Sequence, residues 1–401
     1  EISCSLVGSE MCIRDSYLSS KPRYEILDGL RGIAAIVVVF YHLMECYPKN
    51  IISSYFAHGY LAVDFFFALS GFVLGYAYDN RWQTRQNKTG MTLWHFFKRR
   101  LVRLHPMVIL GALIGICLFY YSGDIELFGK VDEAVWWMVL LQALLMILMI
   151  PLPQSMDIRG WGELTSINGP VWTLMFEYVA NILYALFFRH LSKVALGFLV
   201  VFCALLTTDC CLRLNLWGVL ESDWNSYSVV GGFIFTAEHV YIGYVRLFYP
   251  FLIGLLLSRL DKTIKIERGG FLYTSLMVLV VLCVPVLGGD NKIIDGIYQL
   301  ICILFAFPLI LSIGAGSLLK GKKTSRVCVF LGQISFPLYI THYPLIYMHT
   351  SWAQRHLGAP ICTHIMVGIC TFLMALGLAW AAFKLYDEPV RSWLTKHWLK
   401  R

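Results

Sequence analysis

Apolar blocks of about twenty residues recur along this chain from residue 28 to residue 384, and a helix of that length crosses the hydrocarbon core of a bilayer. Most side chains therefore have lipid as their solvent. Only 14% of the 401 residues are charged while 58% are apolar or aromatic, against about a quarter charged in soluble domains. Low-complexity, collagen-like and disordered classes are excluded, because they need polar or periodic compositions. The expected fold is all-α: a polytopic integral membrane protein.

The blocks lie near 28–46, 59–78, 103–121, 134–152, 170–188, 194–209, 246–260, 271–288, 294–316, 329–349 and 361–384. Lys and Arg concentrate in 81–103, 262–268, 320–326 and 391–401, which by the positive-inside rule are cytoplasmic. That pattern predicts a multi-pass protein of the cell's inner (cytoplasmic) membrane with both termini in the cytoplasm. Eleven crossings cannot return both ends to one side. If the turn at 189–193 is cytoplasmic, block 134–152 is re-entrant or interfacial; otherwise 229–245 must cross and bury Glu238 and His239, which is costly in lipid. The first option gives about ten transmembrane helices plus one that does not cross. It leaves 210–245 as the largest outward loop, placed to line a substrate entrance. Residues 1–16 begin with Glu1 and differ in character from the rest of the chain, so they read as an artefactual or disordered N-terminus. Residues 17–390 then form the membrane domain and 391–401 a basic cytoplasmic tail.

Twelve cysteines occur without a CxxC pair, mostly inside apolar blocks where they act as small hydrophobes, so neither a zinc site nor a redox motif is expected. The net charge of +8 comes from basic segments beside membrane blocks, which speaks against nucleic acid as a partner and for the lipid bilayer.

An ionisable residue at membrane depth marks a functional hypothesis. The first block, LDGLRGIAAIVVVFYHLM, holds Arg31 and His42, eleven residues apart. On a helix they share a face and stand roughly 16 Å apart along the axis. Either they form a cation and a base for chemistry, or Arg31 snorkels to headgroups and His42 bonds a neighbouring helix. Asp64 and Ser70 in GYLAVDFFFALSGFVL, Glu177 in GPVWTLMFEYV, and His342 and His349 in ISFPLYITHYPLIYMH are further buried polar groups. A carboxylate beside a histidine would fix its tautomer as a general base, while a packing network is the plainer reading of Asp64 and Ser70. Pro170 and Pro337 read as helix-start and kink devices. His342 and His349 share a face but lack a third ligand, so no metal is expected. In FFKRRLVRLHPM, Lys98, Arg99, Arg100 and Arg103 crowd the entry to the third block. They suit either phosphate capture or anchoring to anionic lipid.

Taken in order, LDGLRG with Arg31 and His42, GYLAVDFFFALSGFVL, FFKRRLVRLHP, GPVWTLMFEYV, ISFPLYITHYPLI and YDEPVRSW resemble the acyltransferase 3 family of integral-membrane acyltransferases, which includes O-acetylases of bacterial surface polysaccharides. The resemblance implies acyl transfer from cytoplasmic acyl-CoA, often acetyl-CoA, as co-substrate to a hydroxyl of a cell-surface glycan or related acceptor. It makes His42 the essential base, with Glu177 or Asp64 orienting it, and Arg31, Arg99, Arg100 and Arg103 holding the phosphates of coenzyme A. Some members carry an extracytoplasmic esterase-like domain; ending soon after YDEP, this chain reads as the membrane core, with a separate extracytoplasmic partner as one way to complete transfer. A proton-coupled transporter is the competing class, although no inverted repeat supports it.

Overall fold

The computed structural model describes residues 24–47, 55–82, 90–223, 226–289 and 291–399. The expectation for 1–16 lies outside the described residues. All eleven apolar blocks form helices: α1 Glu25–Met44, α2 Ala62–Tyr78, α3 Leu93–Ser122, α4 Trp136–Ile147, α5 Trp172–Leu186, α6 Lys193–Leu212, α7 Ala237–Leu260, α8 Gly270–Cys283, α9 Lys292–Gly316, α10 Lys322–Arg355 and α11 Ile361–Leu399. Seven of them (α1, α2 with its flanking turns, α3, α6, α7, α9 and α11) are long and apolar enough to cross a membrane. No strand occurs among the described residues. The protein is an all-α polytopic membrane protein.

Contacts at the helix ends resolve the parity conflict. At one end, Arg259 of α7 pairs with Asp79 after α2 at 2.7 Å and donates to the carbonyls of Phe188 and Leu191 beyond α5. Arg189 lies 4.1 Å from the Trp82 ring there. At the opposite end, Gln354 and Arg355 of α10 donate to the carbonyls of Cys46 after α1 and Ser122 of α3. Arg159 also reaches Ser122, at 2.9 Å, so the chain between Ser122 and Arg159 leaves and returns at that same end. With twelve residues, α4 spans only about 18 Å and cannot cross. Segment 229–245 does not form the missing crossing by itself. Thr236 caps α7 by accepting from the His239 N–H, and the helix then runs to Leu260. The loop expected at 210–245 therefore ends at Thr236, nine residues short of that boundary, and is tied to the loop after α4 by the Leu164 N–H donating to Phe233 O at 2.7 Å. The expected tail at 391–401 continues α11 in helical form to Leu399.

Two seams set the interior. A Cβ at Gly71 of α2 would sit 1.9 Å from Phe251 O, and one at Gly254 of α7 would sit 2.0 Å from Ala68 O, so small residues let these backbones touch. The second seam joins α1 to α10, which run parallel: Asp28 meets Gly332, Arg31 meets Ser335, and His42 meets His342. Helix α10 carries Gln333, Ser335, Thr341, His342, His349 and Thr350 in buried positions. It is the most polar of the long helices and is shielded by α1, α3 and α11. Its Pro337 and Pro344 lie inside the helix and do not end it, whereas Pro170 opens the short turn leading into α5.

We predict that Gly71→Val lowers thermal stability in nanodiscs by about 1–3 kcal/mol through overpacking. Gly197→Ala, where an added Cβ meets nothing within 4 Å, leaves it unchanged. Equal melting temperatures for both variants would count against the α2–α7 seam.

Candidate functional site

The polar residues of α1 stand at the two ends of one helix and serve two different places. Around Arg31 lies a cavity of about 110 Å³ whose lining includes Arg31, Ser70, Arg100, Arg103, Glu177 and Tyr339. Arg31 is held by Nε donating to Ser335 Oγ at 2.9 Å and Nη2 donating to Asp28 Oδ1 at 3.0 Å. Arg100 donates to Glu177 Oε1 at 3.0 Å, and Ser70 donates to the same oxygen at 3.1 Å. Arg103 lies within electrostatic reach of Asp387 on α11, which is paired with Arg391 at 2.8 Å. Arg99 is absent from the lining. Register alone does not account for this, since Arg99 stands one turn before Arg103 at i,i+4. Against Asp28 and Glu177 the lining sets three guanidinium groups, so it carries a positive excess suited to an anion.

His42 occupies the other end. Its Nδ1 is hydrogen-bonded to Glu45, one turn on, and its side chain is 17% exposed. A carboxylate only accepts here, so Nδ1 carries the proton and Nε2 presents its lone pair. Tyr343 stands edge-on at 4.8 Å and the His342 ring lies 5.5 Å away. The expectation that Glu177 or Asp64 orients His42 is corrected: Glu177 belongs to Arg100, and Asp64 pairs with Arg246 at 2.8 Å, fully buried. Arg246 also donates to Tyr60 O at 2.6 Å, which fixes α7 to the entry of α2. The structural reading of Asp64 is thus the better supported. Ser70 does both: it lines the cavity and, through its bond to Glu177, joins α2 to α5.

Between the two places stands Tyr339 of α10. Its hydroxyl shares a 2.9 Å hydrogen bond with Thr173 Oγ1, and its ring is 6.0 Å from that of His342. Behind His42, Glu163 from the loop before α5 accepts from the Tyr343 hydroxyl at 3.1 Å and from that of Tyr347. Tyr347 stacks under the guanidinium of Arg159 at 3.6 Å. Sequence reasoning missed Glu45, Arg246, Glu163 and Arg159. The i,i+3 spacing of His42 and Glu45 was a usable signal, as was an arginine in the block around 246. Nothing in the sequence marks Glu163, because a loop residue gains its burial only from tertiary packing.

A family model described as an acyltransferase domain matches residues 24–384. The chain belongs to the acyltransferase 3 family. It is 23% identical over 396 residues to the O-acetyltransferase OatA of Staphylococcus aureus, covering 92% of this chain and 58% of that protein. A 174-residue stretch is 34% identical to protein 2 in the picA locus of Rhizobium radiobacter, covering 42% of this chain and 83% of that protein. The chain thus spans less than two thirds of the staphylococcal relative. No solved structure is a significant match.

Burial pushes the Glu163 carboxyl up to about 7, against the lowering pull of the Tyr347 and Tyr343 hydroxyls and of Arg159, with Asp157 adding to the rise. The fold therefore favours the protonated acid. Its contribution to stability is complete below the ordinary glutamate range near 4.5 and is lost as pH rises through about 7. Glu163→Gln should flatten the fall in melting temperature across that interval, measured by scanning fluorimetry in nanodiscs. An unchanged slope would contradict the assignment.

Proposed function

We propose that this chain is a membrane O-acyltransferase that moves an acyl group, acetyl in the simplest case, from cytoplasmic acyl-CoA to a hydroxyl of a cell-surface glycan or related acceptor. The observation that carries the reading is the division of α1 between an arginine-lined cavity at the Arg31 end and a half-buried, carboxylate-oriented imidazole at the His42 end. The end bearing Arg81, Arg189 and Arg259 faces the cytoplasm by the positive-inside rule, and both termini lie there, in the inner membrane. His42 then opens to the outer side, and residues 17–390 act as one transferase domain.

In the proposed mechanism, Arg31, Arg100 and Arg103 hold the phosphates of the donor, with the pantetheine arm directed along α1. The roughly 16 Å from Arg31 to His42 fits the reach of that arm. Glu45 keeps the Nδ1–H of His42 in place, so Nε2 takes the proton as the acceptor oxygen attacks the thioester carbonyl. Collapse of the tetrahedral adduct breaks the carbon–sulfur bond, and the imidazolium returns its proton to the departing thiolate. The ester and free coenzyme A balance the step. The name of the staphylococcal relative, an O-acetyltransferase, supports oxygen as the attacked acceptor atom.

Thiol release from acetyl-CoA by protein in nanodiscs tests the reading. His42→Ala should reduce it about 10²- to 10⁴-fold, with helical content retained. No release from wild type that is folded, with any acyl-CoA and any glycan acceptor, would transfer the case to a proton-coupled carrier. Arg103→Ala should raise the KM for acetyl-CoA about tenfold while leaving the acceptor KM in place, as expected for loss of one charge-assisted contact to phosphate; equal effects on both substrates would remove Arg103 from the donor site.

A further inference from the structure

His342 sits on α10 one turn beyond Tyr339, between the cavity and His42, and has no exposed surface. Its Nδ1 lies 3.0 Å from Leu338 O. A carbonyl only accepts, so Nδ1 carries the proton and Nε2 is a bare acceptor. That nitrogen is buried and meets no hydrogen-bond donor among the described residues. An unpaired buried acceptor is costly, and native structures keep one only for a reason. The other functional imidazole is close: the two ring centres are 5.5 Å apart.

We propose that His342 Nε2 is the docking acceptor for the amide N–H nearest the sulfur of the acyl donor, so that the protein recognises a thioester carried on an amide-bearing pantetheine arm. This rests on the acyl-CoA reading above and deepens it. The arm enters from the arginine-lined cavity, passes Tyr339, and must satisfy its own amide donors in a dry passage. From that amide nitrogen to the acyl carbon there are four bonds, about 5 Å when extended. With the N–H on His342, the thioester carbon falls beside His42, at the separation of the two rings. The His342 contact thus sets how far the arm advances.

Two donors decide the matter: acetyl-CoA, and an acetyl-CoA analogue in which the amide nearest sulfur is replaced by an ester and so lacks the N–H. Thiol release gives kcat/KM for each, with wild type, His342→Leu and His342→Gln in nanodiscs. Wild type should prefer the amide donor about tenfold or more, the value of leaving a buried acceptor unpaired. His342→Leu should bring the ratio close to one, and His342→Gln, which keeps an acceptor oxygen, should recover much of it. A wild-type ratio near one, or a ratio unmoved by His342→Leu, overturns the proposal while leaving acyl-CoA as donor. If His342→Leu fails to fold, the wild-type ratio and that of His342→Gln decide alone. Release from neither donor in folded wild type overturns the donor reading as well.

Discussion

The parallel contact of α1 with α10 is what the remaining architecture depends on. Asp28 and Gly332 approach so closely that a Cβ at Gly332 would lie 2.7 Å from the Asp28 Cβ, and this fixes the register for the whole length of both helices. Arg31 is thereby tied to Ser335 and His42 is brought against His342 and Tyr343. A single helix can present a cation and a base on one face by periodicity alone. Only a rigid partner keeps both from reorienting, because an arginine and a histidine in lipid would otherwise seek water at the nearest surface.

Three further buried pairs follow the rule that ions in a bilayer are paired. Asp64 and Arg246, Arg100 and Glu177, and Asp387 and Arg391 each join two helices or two turns of one. Their exposures differ in a way that separates frame from site. The Asp64 carboxylate is fully buried, whereas Glu177 is 20% exposed into the cavity. Breaking the first pair leaves an uncompensated ion in the core; breaking the second alters a surface that a ligand meets.

The helices were legible because each apolar block is about the length of a membrane crossing, and all eleven appear close to their expected positions. The parity problem was legible too, and the option with 134–152 not crossing is the one the helix-end contacts support; the exact helix boundaries were not. The lengths of α4 and α7 differ from those of their apolar blocks, since caps such as Thr236 and tertiary contacts such as Arg159 to Ser122 decide where helices begin and return. At the site, Arg31, His42, Arg100 and Arg103 stand out as ionisable residues in or beside apolar runs. Their partners did not follow from the sequence: the pairing of Glu177 with Arg100 joins residues 77 positions apart, and that of Asp64 with Arg246 joins residues 182 apart. Residue type and spacing announce that a partner must exist without saying which.

The Tyr339 ring, pinned by Thr173 and set against Phe66 at 5.7 Å, stands between the cavity and the histidines. On the proposed reading this makes the catalyst also a seal. A conduit wide enough for coenzyme A would let protons and ions discharge the membrane potential, but a slender arm that fills the passage as it enters exposes the acyl group on the far side while the charged head stays behind. Electrical tightness of the membrane and export of an activated group are then compatible in one protein, because what crosses is only the few uncharged atoms of the acyl group.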